Sequence, residues 1–234
     1  MEKRAGLNVF LFSAYNVSYE TIHNLLDAGI RLKGVLVLSS QPTTLGWGQR
    51  LRNLASFGSF REPSSLLKKH AIPLYRVDDY NGPEAEQALR DASTDILLLY
   101  GSKIIKPNIL AIPRVGTLNA HSSLLPKYRG SASEFWMLLN DERQYAGITV
   151  HWVDPGLDTG DIFLQRSITA PPGITPRELR AIGRPIAAQL LTEAVLSIER
   201  GEVKRVKQDE SQATKFKRPT PEDVDRFNKK YARN

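Results

Sequence analysis

Short apolar runs alternate with amphipathic stretches along most of this chain. Apolar runs of strand length occupy residues 7–13, 32–38, 74–77, 96–100 and 115–120. The run at 96–100, Ile-Leu-Leu-Leu-Tyr, has no polar interruption, as expected of a parallel strand covered on both faces. Between the runs, helices are predicted over 19–28, 63–70 and 83–92. In the first of these, Ile22, Leu25 and Leu26 share a face, Ser18 stands at the N-cap and Gly29 ends the turn. Strand and helix in strict alternation predict an α/β domain with a mostly parallel sheet.

The later part of the chain reads differently. A helix over 133–140 precedes strands at 148–153 and 162–168, joined through a Pro-Gly turn into a β-hairpin. A long helix begins at Thr175. Thr175, Pro176 and Glu178 supply an N-cap, a proline at the first helical position and a capping box. Leu179, Ile182, Ile186 and Leu190 then recur at helical spacing, and Pro185 should kink the helix or mark a boundary. Residues 42–58, with Gly46 and Gly48, show little period and read as a long loop. No internal repeat is visible. The organisation expected is one domain over residues 1–200, then a short basic extension over 201–234.

Composition removes several chemistries. The chain has 234 residues and no cysteine, so a thiol nucleophile, a cysteine–zinc site and an iron–sulfur cluster are excluded. The apolar run at 7–12 is too short for a membrane span and lacks the cleavage pattern of a secretory signal, so a cytoplasmic location is expected. Net charge is +7 and the pI about 9.6, which favours anionic partners. Residues 201–234 hold 10 Lys+Arg against 6 Asp+Glu, so +4 of the +7 falls there. Mixed charge with few large apolar residues reads as a solvated, partly disordered tail. No Gly-x-Gly-x-x-Gly follows the first strand, no Walker loop or nucleophile elbow is present, and His23, His70, His121 and His151 lack metal-ligand spacing. No metal is expected.

The candidate chemistry lies between Gly116 and Ile162. Asn119 and His121 are two residues apart where a strand ends, so both side chains project to one face. In open α/β sheets that is where ligands bind. An amide donor beside an imidazole can polarise a carbonyl and stabilise its oxyanion. Asp158, in a Gly-rich turn between two strands, can orient the imidazole or relay a proton. His151, inside a strand, reads as a packed, hydrogen-bonded histidine.

The run Asn119-Ala-His121-Ser-Ser-Leu-Leu-Pro126-Lys-Tyr128-Arg129-Gly130, followed by Gly156-Leu157-Asp158-Thr159-Gly160, resembles the folate-dependent formyltransferase family. The resemblance implies a Rossmann-like sheet and a catalytic trio of Asn119, His121 and Asp158. It implies N10-formyltetrahydrofolate as donor, its pterin against the main chain of Lys103, Ile104 and Ile105 and against Asp154, Pro155, Gly156 and Leu157. The acceptor would be a primary amine. Trp136, the Asn140-x-Glu142 spacing and the segment Glu210–Lys215 ahead of Arg218-Pro219-Thr220-Pro221 look most like the sugar-nucleotide branch, with Glu134 departing from a proline common in relatives. An amino-sugar nucleotide is therefore the expected partner. The chain ends too soon after Ile168 for the additional barrel of the tRNA enzyme, so nucleic acid is disfavoured. A homodimer is allowed. The alternatives are phosphoribosylglycinamide formylation, a formate-releasing hydrolase, and a folate-sensing or RNA-binding module without catalysis.

Overall fold

The computed structural model describes residues 6–13, 18–39, 63–101 and 103–231. The loop expected over 42–58 lies outside the described residues. Two compact units are present, divided between Gly116 and Thr117.

The first unit has the predicted strand–helix alternation. Strands β1 (Asn8–Ser13), β2 (Arg31–Leu38), β3 (Leu74–Val77) and β4 (Ile96–Tyr100) alternate with helices α1 (Ser18–Asp27), α2 (Pro63–Lys69) and α3 (Pro83–Asp91). All pairings are parallel, β1 lying between β2 and β4 and β2 between β1 and β3. Every residue of β4 is buried, as is β1 from Val9 to Ser13. That burial on both faces is why these strands carry no polar alternation. Gly29 follows α1 with a φ of 74°, the left-handed close that glycine adopts without steric cost. A one-turn helix α4 (Pro107–Leu110) follows β4. It is too short to leave a periodic signal in the sequence.

The second unit centres on three antiparallel strands. β7 (Gly147–Trp152) lies between β5 (Gly116–His121) and β8 (Ile162–Ser167). β7 and β8 form the expected hairpin. Helix α5 (Ser133–Leu139) precedes it, and α6 (Pro176–Glu199) follows with the expected capping box at Thr175 and Glu178. The fold is thus α/β with mostly parallel pairing, a hairpin and a long late helix.

Two expectations for α6 need correction. The helix runs unbroken through Pro185, which is exposed, so no boundary falls there. Ile182 is 43% exposed, whereas Leu179, Gly183, Ala187, Leu190, Leu191, Ala194 and Ile198 are buried. A Cβ on Gly183 would come within 3.1 Å of Ile148 on β7. Small residues such as Gly183 and Ala187 let the helix lie close to the strand, so the buried face passes through Leu179 and Leu190 but leaves Ile182 outside it.

Over its described residues, 201–231, the extension is not a disordered tail. It holds a 3-10 turn at Glu210–Gln212, strand β9 (Lys215–Phe216) and helix α7 (Pro221–Tyr231). β9 pairs in parallel with β6 (Arg129–Gly130). Trp136 stacks on Phe216 and Phe135 on Phe227, with ring centroids 5.0 Å apart in each pair. A few aromatics placed against an existing surface order the segment despite its polar average. Among the described residues, no helix is long and apolar enough to cross a membrane.

Candidate active site

The antiparallel register sets Asn119 opposite His151 and His121 opposite Thr149. Directly opposed residues share a face, and so do residues two apart on one strand. Asn119, His121, Thr149 and His151 therefore project together. Thr149 works structurally: its hydroxyl donates to the Ser123 carbonyl at 2.6 Å and accepts from the Leu125 amide at 3.1 Å, fixing the path of the chain after β5.

His121 is held from one side. Its Nε2 lies 2.8 Å from the Tyr128 carbonyl oxygen and 3.2 Å from Ser133 Oγ. The Ser133 hydroxyl donates to the same carbonyl at 3.1 Å, which leaves its oxygen to accept. Both neighbours of Nε2 are then acceptors, so the proton sits on Nε2. Nδ1 is the nitrogen left for chemistry, and it lies 3.6 Å from Asp158 Oδ2.

His151 orders Asn119. Its Nδ1 lies 2.8 Å from the Trp152 carbonyl oxygen, which only a protonated nitrogen can meet. In the neutral ring Nε2 is then an acceptor, and the Asn119 amide donates to it at 3.1 Å. That bond fixes the NH2 end of the amide toward His151 and leaves its second hydrogen to point elsewhere. His151 was expected only to pack. Its register opposite Asn119 is the property that matters, and register is not visible in one strand's sequence.

Asp158 stands in the turn between β7 and β8 with a left-handed φ of 53°. Its Oδ2 accepts the Gly130 amide at 2.8 Å, and its Oδ1 lies 3.6 Å from His151 Nε2. At 3.6 Å the two histidine contacts are longer than hydrogen bonds, and they act on the carboxylate as charges only when the rings are protonated. Burial by itself would push the carboxyl up, but the facing His151, the His121 charge and the Gly130 amide together hold it at about 2. Asp158 is therefore ionised at neutral pH.

The remaining expected site residues are placed as follows. Lys103, Ile104 and Ile105 lie in the first unit between β4 and α4; Ile105 is buried and Ile104 is 73% exposed. Asn81 donates to the Ile104 carbonyl at 3.1 Å and accepts the Lys106 amide at 2.7 Å, fixing that main chain. Asp154, Pro155, Gly156 and Leu157 form the turn after β7 in the second unit. Asp154 Oδ1 accepts from the Gly156 amide at 3.0 Å and from Thr159 Oγ1 at 2.6 Å, so that carboxylate shapes the turn. Pro155, Gly156 and Leu157 are exposed.

Four residues singled out for the acceptor, Glu134, Trp136, Asn140 and Glu142, are engaged within the fold. Tyr128 donates its hydroxyl to Glu142 and accepts from Asn140 at 3.3 Å. Trp136 donates to the Lys217 carbonyl at 2.9 Å. Glu134 is buried and takes a two-point contact from Arg180 at 3.1 and 3.2 Å, tying α5 to α6.

A protein-family model described as "Formyl transferase" matches residues 8–195. A methionyl-tRNA formyltransferase of Geobacter metallireducens is 30% identical over 209 residues, which are 88% of this chain and 64% of that protein. The chain thus spans less than two thirds of the length of this curated relative. Among solved structures, glycinamide ribonucleotide transformylase 1 from Symbiobacterium toebii superposes with a TM-score of 0.68 at 18% identity, over 88% of this chain and all of that one (100%). An N-formyltransferase from Helicobacter canadensis, in complex with folinic acid and dTDP-3-aminofucose, also gives 0.68, at 19% identity, over 91% of this chain and 71% of that one. This chain belongs to the formyl transferase family.

Proposed function

We propose that this protein moves a formyl group from N10-formyltetrahydrofolate to a primary amine on an amino-sugar nucleotide. The observation that carries the reading is the convergence of Asn119, His121 and Asp158 on one face, with the Asn119 amide oriented by His151.

The chemistry follows from what each group can do. The neutral amine attacks the formyl carbon, and the carbonyl oxygen becomes an oxyanion. Asn119 offers its second N–H to that oxygen, and His121, in the doubly protonated form whose charge Asp158 balances, offers a proton on Nδ1. The tetrahedral adduct collapses by breaking the bond to the folate nitrogen. The nitrogen takes up one proton, the amine gives one up, and formamide and tetrahydrofolate leave. A carboxylate held well below the usual range is a poor proton acceptor at pH 7. Asp158 is therefore a charge partner for the imidazole rather than a proton relay.

The sugar-nucleotide acceptor rests on the Helicobacter canadensis neighbour and on a net charge of +7 that suits a diphosphate. The Geobacter metallireducens relative favours a second reading, in which the amine belongs to methionyl-tRNA. Donor consumption should be measured against amino-sugar nucleotides, glycinamide ribonucleotide, methionyl-tRNA and buffer alone. Turnover with the amino-sugar nucleotides is expected, and Asn119→Ala should lower kcat by about 10²–10³ through loss of an oxyanion donor. Formylation of methionyl-tRNA with no sugar nucleotide accepted would move the assignment to the second reading. Glycinamide ribonucleotide as sole acceptor would point to purine synthesis. Consumption in buffer alone would make the protein a hydrolase.

A further inference from the structure

We propose that Gln208 is a positioning residue that fixes the Asp158 carboxylate against His121 and His151, which makes the segment after α6 part of the working site. The inference rests on the reading of Asp158 as a functional group. Gln208 lies beyond residue 195, where the family match ends.

Arg129 is fully buried. Its guanidinium donates to Gln208 Oε1 from Nε at 3.1 Å and from Nη2 at 2.8 Å. It also makes a two-point contact with Glu210 at 2.9 and 2.6 Å. The other end of the same glutamine donates from Nε2 to the Asp158 carbonyl at 2.9 Å and to the Gly160 carbonyl at 2.7 Å. Both amide hydrogens and the amide oxygen are thus in use. Arginine has no acceptor and carbonyls have no donor, so the flipped amide would lose all four bonds.

These bonds close a ring. Gly130, next in sequence to Arg129, donates its amide to Asp158 Oδ2. Arg129 holds Gln208, and Gln208 holds the Asp158 main chain. The aspartate is therefore gripped at its carboxylate and at its backbone by one connected unit. Its left-handed φ of 53° is a conformation that a non-glycine residue keeps only when surroundings impose it. Gly160 has no room for a side chain, because a Cβ there would lie 1.8 Å from the Trp152 carbonyl oxygen. Glutamine suits the position by chemistry and reach. Glutamate would keep the pairing with Arg129 but set an oxygen against two carbonyls, and asparagine is one methylene short.

The test needs no acceptor. The protein has only four histidines, His23, His70, His121 and His151, so imidazole 15N resonances can be assigned by single substitutions. At neutral pH, Asp158→Asn should shift the His121 and His151 signals. Gln208→Ala and Gln208→Glu should shift both in the same direction, leaving His23 and His70 in place as reporters of an intact fold. Unmoved His121 and His151 signals in a folded Gln208→Ala would overturn the proposal. So would a shift in Gln208→Ala that is absent from Gln208→Glu, since the glutamate keeps the Arg129 contact and loses only the donors to the loop. If the alanine variant does not fold, the glutamate variant decides alone. Signals unmoved even in Asp158→Asn would remove the reading of the site itself, and the proposal with it.

Discussion

Asp158 carries its charge where burial opposes it, and its neighbours decide the outcome. The ordinary carboxyl value of 3.8 is held down to about 2 in the folded chain. A depressed folded-state value means the native state binds its proton less readily than the unfolded state. The resulting stabilisation, about 2 kcal/mol, is complete above the unfolded value and disappears as pH falls through the folded one. Asp158→Asn should therefore be less stable than wild type at neutral pH. The gap should close as pH is lowered from about 5 to about 2. Urea melts at several pH values measure this directly. A gap that persists undiminished at the acid end would show that the loss comes from packing and not from the carboxylate's charge.

Pairing of β6 with β9 shows how a two-residue element can matter. The Arg129 amide donates to the Thr214 carbonyl at 2.9 Å, and the Ser131 amide to the Phe216 carbonyl at 3.0 Å. Phe216 stacks between Tyr128 and Trp136, with ring centroids 5.0 Å away on each side. Tyr128 is itself buried, and burial together with Glu142 pushes its phenol above the usual range. Gly130 permits the close approach. Its φ is 95°, and a Cβ there would sit 2.2 Å from the Phe216 carbonyl oxygen. Gly130→Ala must displace β9 or distort the amide that Asp158 accepts. Strain of this kind costs about 1–3 kcal/mol at a single residue. The expected result is a lower Tm together with faster proteolysis after Gly201; normal protection of that segment would show that β9 can shift without detaching.

Across the whole molecule, the fully buried Arg129 dictates how much chain the second unit needs. Its side-chain partners are Gln208 and Glu210, both supplied by the segment after α6. A buried charge stripped of its partner costs about 3–5 kcal/mol, a large share of the roughly 5–15 kcal/mol that a domain has. Deleting residues 201–234 should leave the chain aggregated or molten. Deleting only residues 221–234 removes α7, with the Phe135–Phe227 stack and the Lys230 contacts to Leu139 and Asp141, and spares the Arg129 cluster. That shorter deletion should fold with a modest loss in Tm. Equal outcomes for the two would mean that Arg129 does not depend on the extension.

Local pattern determined much of this protein. The uninterrupted apolar runs at β1 and β4, the turn residue Gly29 and the Thr175–Glu178 box each act within a few residues of themselves, so one stretch of sequence carries the whole signal. The spacing of Asn119 and His121 likewise fixes their common face, because alternation along a strand is a local rule. Only the tertiary structure decided the rest. Opposing Asn119 to His151 requires the register of two strands. Bringing Gln208 and Glu210 to Arg129 requires contacts about 80 residues apart in sequence, and no period or composition records such a contact. The charged tail reads as solvated for the same reason: its average hydropathy is low, yet a few residues placed against a buried guanidinium and three aromatic rings are enough to order it.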